Sequence, residues 1–88
     1  MEHVRGRVLD GDKVLAEGIE ITAVVDPRAR SKRWYGCFIV SGAWSPELSG
    51  PFRLEFDDGR SGEILVRRTK SSDSEQTTVF FDGTGALG

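Results

Sequence analysis

Residues 51–66 (Pro-Phe-Arg-Leu-Glu-Phe-Asp-Asp-Gly-Arg-Ser-Gly-Glu-Ile-Leu-Val) constrain the fold more than any other part of the chain. Phe52, Leu54 and Phe56 alternate with Arg53, Glu55 and Asp57, the period of a strand with one buried face. Asp58–Gly59 supplies a backbone that tolerates positive φ, and a second apolar run follows at once. The loop length is decided by what each register does to the two faces. A two-residue loop at Asp58–Gly59 pairs Leu54 with Glu63 and puts Ile64 on the face of Arg53, mixing charge with apolar groups on both sides. A three-residue loop of Asp57, Asp58 and Gly59 pairs Phe52 with Ile64 and Leu54 with Gly62, so that Ile64 and Val66 join the apolar face. That residue order suits a type I turn closed by a left-handed glycine. It predicts positive φ at Gly59 and a bulky neighbour beside Gly62. A five-residue loop keeps the same parity, so the odd count is the constraint.

The rest of the chain repeats the β signal. Val4 to Leu9 reads as a strand, Asp10–Gly11–Asp12 as a turn, and Val14–Leu15–Ala16 as a short strand that Glu17–Gly18 interrupts. Ile19, Ile21, Ala23 and Val25 alternate with polar residues until Asp26–Pro27 ends the run. Trp34 to Val40 is apolar on both faces, which predicts a strand covered on both sides. Ser41 to Gly50 reads as an irregular connection holding Trp44, and Thr69 to Glu75 as a polar loop. Thr77, Val79 and Phe81 alternate in a last strand, and residues 83–88 read as a fraying tail. No segment keeps helical periodicity over three turns. The expected architecture is therefore all-β with little or no helix: one domain over residues 1–88, folded as a small antiparallel barrel of six or seven strands. Its size is OB-like, SH3-like or PilZ-like. A barrel is expected over a sandwich because closure removes exposed sheet edges. A chain of 88 residues buries about 60–65% of its unfolded surface, enough for a core without staples.

Several chemistries lack their residues. The only histidine is His3 and the only cysteine is Cys37, too few for a zinc site and poorly placed for a nucleophile with its base. Asp57 and Asp58 form a carboxylate pair that turn geometry already explains. Asp10–Gly11–Asp12 lacks the later ligands of a calcium loop. No phosphate-cradling glycine motif occurs, and neither does the R-x-x-x-R arginine pair of PilZ-type barrels. The expectation is a protein that is not an enzyme and carries no cofactor or metal. No long apolar run suggests a membrane span and no charged-then-apolar leader precedes the domain. The lone Cys37 forms no internal disulfide, so the expected compartment is the cytoplasm.

Charge is segregated although the net value is only −2. Arg28, Arg30, Lys32 and Arg33 form one basic group, and Arg67, Arg68 and Lys70 another. Acids gather at Asp10, Asp12, Glu17 and Glu20, and again at Glu55, Asp57 and Asp58. The run Lys32–Arg33–Trp34–Tyr35–Gly36–Cys37–Phe38–Ile39 sets cations beside aromatics on one strand, as in single-strand nucleic-acid binders. It resembles the K-G-[FY]-G-F-[VI] strand of cold-shock domains through Tyr35, Gly36, Phe38 and Ile39, with Trp34 in place of glycine and Cys37 inserted. The alternative reading is therefore single-stranded nucleic-acid binding through Trp34, Tyr35 and the arginines of the first basic group. The acidic balance favours a protein partner instead, or a second copy of the chain, with the basic loop of one molecule facing the acidic hairpin tip of another. On this reading Arg28, Arg30, Lys32, Arg33, Tyr35 and Trp44 form the binding surface of a non-catalytic interaction module. Trp44 has two open roles, an interface anchor or a lid on one end of the barrel.

Overall fold

The computed structural model describes residues 2–25, 33–44, 50–72, 75–85 and 87. Six strands account for almost all of them: β1 (Glu2–Asp10), β2 (Lys13–Val25), β3 (Trp34–Ser41), β4 (Phe52–Phe56), β5 (Ser61–Ser71) and β6 (Gln76–Gly83). They close into an antiparallel barrel in the order β1-β2-β3-β6-β5-β4, with β4 returning to β1. Closure gives every strand two neighbours, which answers the edge problem of a small sheet.

The β4–β5 hairpin has the odd loop that its apolar pattern requires. Phe52 pairs with Ile64, Arg53 with Glu63 and Leu54 with Gly62. The Phe56 amide donates to the Arg60 carbonyl at 2.8 Å, and the Gly59 amide to the Phe56 carbonyl at 3.0 Å. Gly59 has φ of 96°, a conformation that costs a side-chain-bearing residue free energy. Gly62 lies against the Trp34 indole, and so does Gly83; a Cβ at either position would overlap the ring.

Three boundaries depart from the sequence reading. Glu17–Gly18 does not break the second strand, because both residues stand opposite Arg7 as a bulge and β2 continues on either side. β5 runs to Ser71, well into the segment read as a loop, since β6 supplies partners as far as Ser71–Thr77. The start of the supposed tail is held: Gly83 belongs to β6, the Thr84 amide donates to the Glu63 carbonyl at 2.9 Å, and Trp34 Nε1 donates to the Gly85 carbonyl at 2.7 Å. Leu87 packs against the core.

The interior is organised by aromatic edges. Phe56, Trp34, Phe81, Phe38, Trp44 and Phe52 touch in sequence, with centroids 5.5–6.3 Å apart and mostly T-shaped pairings. Val8, Ile21, Leu54, Ile64 and Val79 fill the space around them and are fully buried. Trp34 plugs the end where β3 begins, and Trp44 closes the end where β3 finishes. Thr77, the buried polar side chain of the core, donates to the Gly42 carbonyl at 2.6 Å. No helix among the described residues is long and apolar enough to cross a membrane.

Candidate binding face

Trp34, Phe38 and Val40 point inward along β3, so Tyr35, Cys37 and Ile39 point outward. β6 continues the alternation: Thr77, Val79 and Phe81 are buried, leaving Thr78, Phe80 and Asp82 outside. The ladders then align these outward groups in rows. Val24, Tyr35, Asp82 and Leu65 form one row, and Thr22, Cys37, Phe80 and Arg68 the next. Ile39, Thr78 and Lys70 form a third. The result is a contiguous outer face on β3, β6 and β5, apolar in the middle and basic along its β5 flank.

The apolar members are unusually open to solvent. Tyr35 is 45% exposed, Leu65 43% and Ile39 40%, while Cys37 and Phe80 are half-buried between them. The Arg68 guanidinium lies 4.4 Å from the Phe80 ring centroid and covers that ring's face. Arg67, at a bulge in β5, reaches Asp82 Oδ1 at 3.5 Å. Neither Arg68 nor Lys70 forms an ion pair among the described residues. On β1, His3 Nδ1 is hydrogen-bonded to Thr22 Oγ1 at 3.1 Å at the far end of the middle row. Burial pushes the Cys37 thiol above its ordinary pKa, so it is held as the neutral thiol at neutral pH.

The residues singled out in the sequence separate on this structure. Arg33 and Tyr35 come together, lining a recess of about 420 Å³ with Trp34, Asp82 and Gly83. Arg28, Arg30 and Lys32 lie outside the described residues. Trp44 is 9% exposed, seated edge-on to Phe38 at 5.6 Å and Phe52 at 5.9 Å, at the opposite end of β3 from Tyr35. It is a lid on the core and does not share a surface with Tyr35. Trp34 is 2% exposed and presents no ring for base stacking.

The acidic hairpin tip is also occupied. Asp58 Oδ2 pairs with Arg60 at 2.8 Å, and the Arg60 side-chain and backbone hydrogen bonds hold the Asp58 carboxyl below the usual carboxylate range. Glu55 is bracketed by Arg7 at 2.7 Å and Arg53 at 3.1 Å.

Phe80, Leu65, Arg68 and Lys70 are the members of the face that the sequence reading did not assign to a site. Their signal is phase: Phe80 falls between Val79 and Phe81, so a strand that buries those two must expose it. Among the described residues, no three His, Cys, Asp or Glu side chains are grouped to hold a metal ion. Comparison with known proteins finds no family model, no curated protein and no solved structure that matches this chain.

Proposed function

We propose that this barrel is a non-catalytic binding module whose outer β3–β6–β5 face docks a protein partner with acidic side chains around an apolar centre. One observation carries the reading. Tyr35 and Ile39 on β3 and Leu65 on β5 are exposed on either side of β6, with Asp82 between Tyr35 and Leu65, Cys37 and Phe80 half-buried in the next row, and Arg68 and Lys70 at the margin. An apolar centre with a charged rim is the anatomy of a protein interface, and aromatic and arginine side chains are its usual anchors. A second copy of the chain is the first partner to test, because the protein itself offers the complementary charge. Asp10, Asp12, Glu17 and Glu20 form no ion pair among the described residues. A reduced Cys37 thiol at the centre of such a face fits the cytoplasm.

Single-stranded nucleic acid is the second reading, favoured by the outward ring of Tyr35 between Arg33 and the β5 cations. It is the weaker one. Phe80 already has Arg68 over its face, the aliphatic groups Ile39 and Leu65 offer nothing to stack, and the net charge is −2.

Native mass spectrometry of the purified protein, beside the Tyr35→Asp/Leu65→Asp variant, separates the outcomes. The expected result is a dimer or higher complex in the wild type that the variant loses while its melting temperature is retained. A complex that survives both substitutions unchanged overturns the reading. Fluorescence anisotropy of a labelled oligonucleotide tests the alternative, with affinity falling steeply as salt rises. Intrinsic tryptophan quenching is a poor probe here, because both indoles are buried.

A further inference from the structure

The barrel is closed, but it is not evenly sealed. The β2–β3 ladder runs from Val25–Trp34 to Ile21–Phe38 and stops there. β2 continues away along β1 through its bulge to Lys13, and β3 continues along β6 to Ser41. Between the diverging strands lies a cleft of about 640 Å³. Its floor is apolar, made by Leu15, Ile19, Val40 and the Trp44 lid. Glu17 and Glu20 stand at the β2 side of it, both exposed. Arg5 is opposite Glu20 in the β1–β2 ladder, yet no ion pair joins them.

We propose that this split is a strand-addition site for an extended segment carrying alternating basic and apolar side chains. Three properties of the cleft specify that occupant. The edge of β3 at Ile39–Ser41 that faces β2 has no ladder partner among the described residues, so its backbone N–H and C=O groups are available to an added strand. Successive side chains of a strand point to opposite sides, so every second residue of the added segment faces the Leu15–Ile19–Trp44 floor. The residues between them face the two carboxylates, which select lysine or arginine. At about 3.3 Å per residue, the open Ile39–Ser41 edge is about 10 Å long, the span of about three residues of an added strand. The carboxylates also set the selectivity expected of this edge: charge there repels like-charged strands and admits its complement.

The experiment is a titration of the wild-type protein with a fluorescein-labelled, end-capped hexapeptide of alternating lysine and valine, read by anisotropy. The matching glutamate–valine peptide and a lysine–valine peptide N-methylated at alternate residues serve as comparisons. Saturable binding of the first peptide is expected, with the acidic and N-methylated peptides weaker by tenfold or more. Glu17→Lys/Glu20→Lys should weaken the lysine–valine peptide about tenfold, the effect of two exposed charge contacts. Tyr35→Asp, at the end of β3 away from the cleft, should leave it unchanged. Equal binding of all three peptides, unimpaired binding to the double lysine variant, or no saturation at millimolar peptide would each overturn the proposal. So would a simple alkylammonium ion that displaces the peptide at equal concentration, because the site would then hold a cation and not a strand.

Discussion

The two flanks of the barrel exterior belong to one closed sheet and are treated in opposite ways. On β1 and β4 the outward groups include Arg7, Arg53 and Glu55, tied together at 2.7 and 3.1 Å. On β3, β6 and β5 the outward groups include Tyr35, Cys37, Ile39, Phe80 and Leu65; Asp82 reaches Arg67 at 3.5 Å, and Arg68 turns to the Phe80 ring. The barrel needs both flanks for its hydrogen-bonded wall, so the wall does not account for the difference. An exterior of ion pairs is satisfied by water and by itself. An apolar one leaves nonpolar area in water, which a covering surface would remove.

The contrast can be broken most directly at its centre. Tyr35→Asp/Leu65→Asp should lower the affinity of any complex by about 100-fold, two anchors of about 1–2 kcal/mol each, with little change in melting temperature. Sedimentation equilibrium measures it, and a stability loss equal to the affinity loss would mean that the face serves folding instead. Phe80→Ala removes a half-buried ring and the seat of Arg68. It should weaken association about tenfold and cost about 1–2 kcal/mol in urea unfolding. On the other flank, Glu55→Ala deletes both ion pairs at once and should cost about 1 kcal/mol or less, because surface pairs contribute little. Association should be untouched; a fall would erase the distinction between the flanks. Alkylation of Cys37 by iodoacetamide near neutral pH should run slower than that of a free cysteine, and slower again when the face is covered, as mass spectrometry would show.

The smallest effect belongs to Asp58. Its folded carboxyl is held below the unfolded value, so the stabilisation from Arg60 is present above the unfolded pKa and lost as pH falls through the folded one. Asp58→Asn should therefore lower stability slightly at neutral pH and leave it unchanged once the wild-type carboxyl is protonated, so that urea unfolding across the acid range below about pH 4 shows a shallower loss.

Much of the wall is written locally, and the inside of the barrel is not. The β4–β5 register follows from keeping Phe52, Leu54, Ile64 and Val66 on one side, because a slip by one residue would turn all of them outward. The bulky neighbour of Gly62 also follows, although its identity as Trp34 depends on how distant strands meet. Three features escaped for physical reasons. Glu17–Gly18 looks like a break because nothing in the local sequence shows that β1 absorbs it as a bulge. Trp34 to Val40 reads as covered on both faces because apolar residues on a strand do not say whether the cover belongs to the same molecule. Trp44 stands among small and polar residues, and only the closure of β3 against β6 and the return of β4 bring Phe38 and Phe52 to it. Of the proposed face, Tyr35 and the neighbouring Arg33 can be picked out from the sequence, while Phe80, Leu65, Arg68 and Lys70 need the β6 ladders to join them to it.

The position of β6 also bears on how the molecule assembles. It is the last of the described strands, yet it sits between β3 and β5, and one of the two glycines against the Trp34 indole is its final residue. Every form of the domain that lacks β6 carries two open edges and an indole with only Gly62 against it. Pairing Tyr35 with Asp82 must also wait for a long intervening loop to close, which makes it a slow step. During synthesis the growing chain is therefore at its most adhesive until β6 emerges, with β1 to β5 made and nothing yet between β3 and β5.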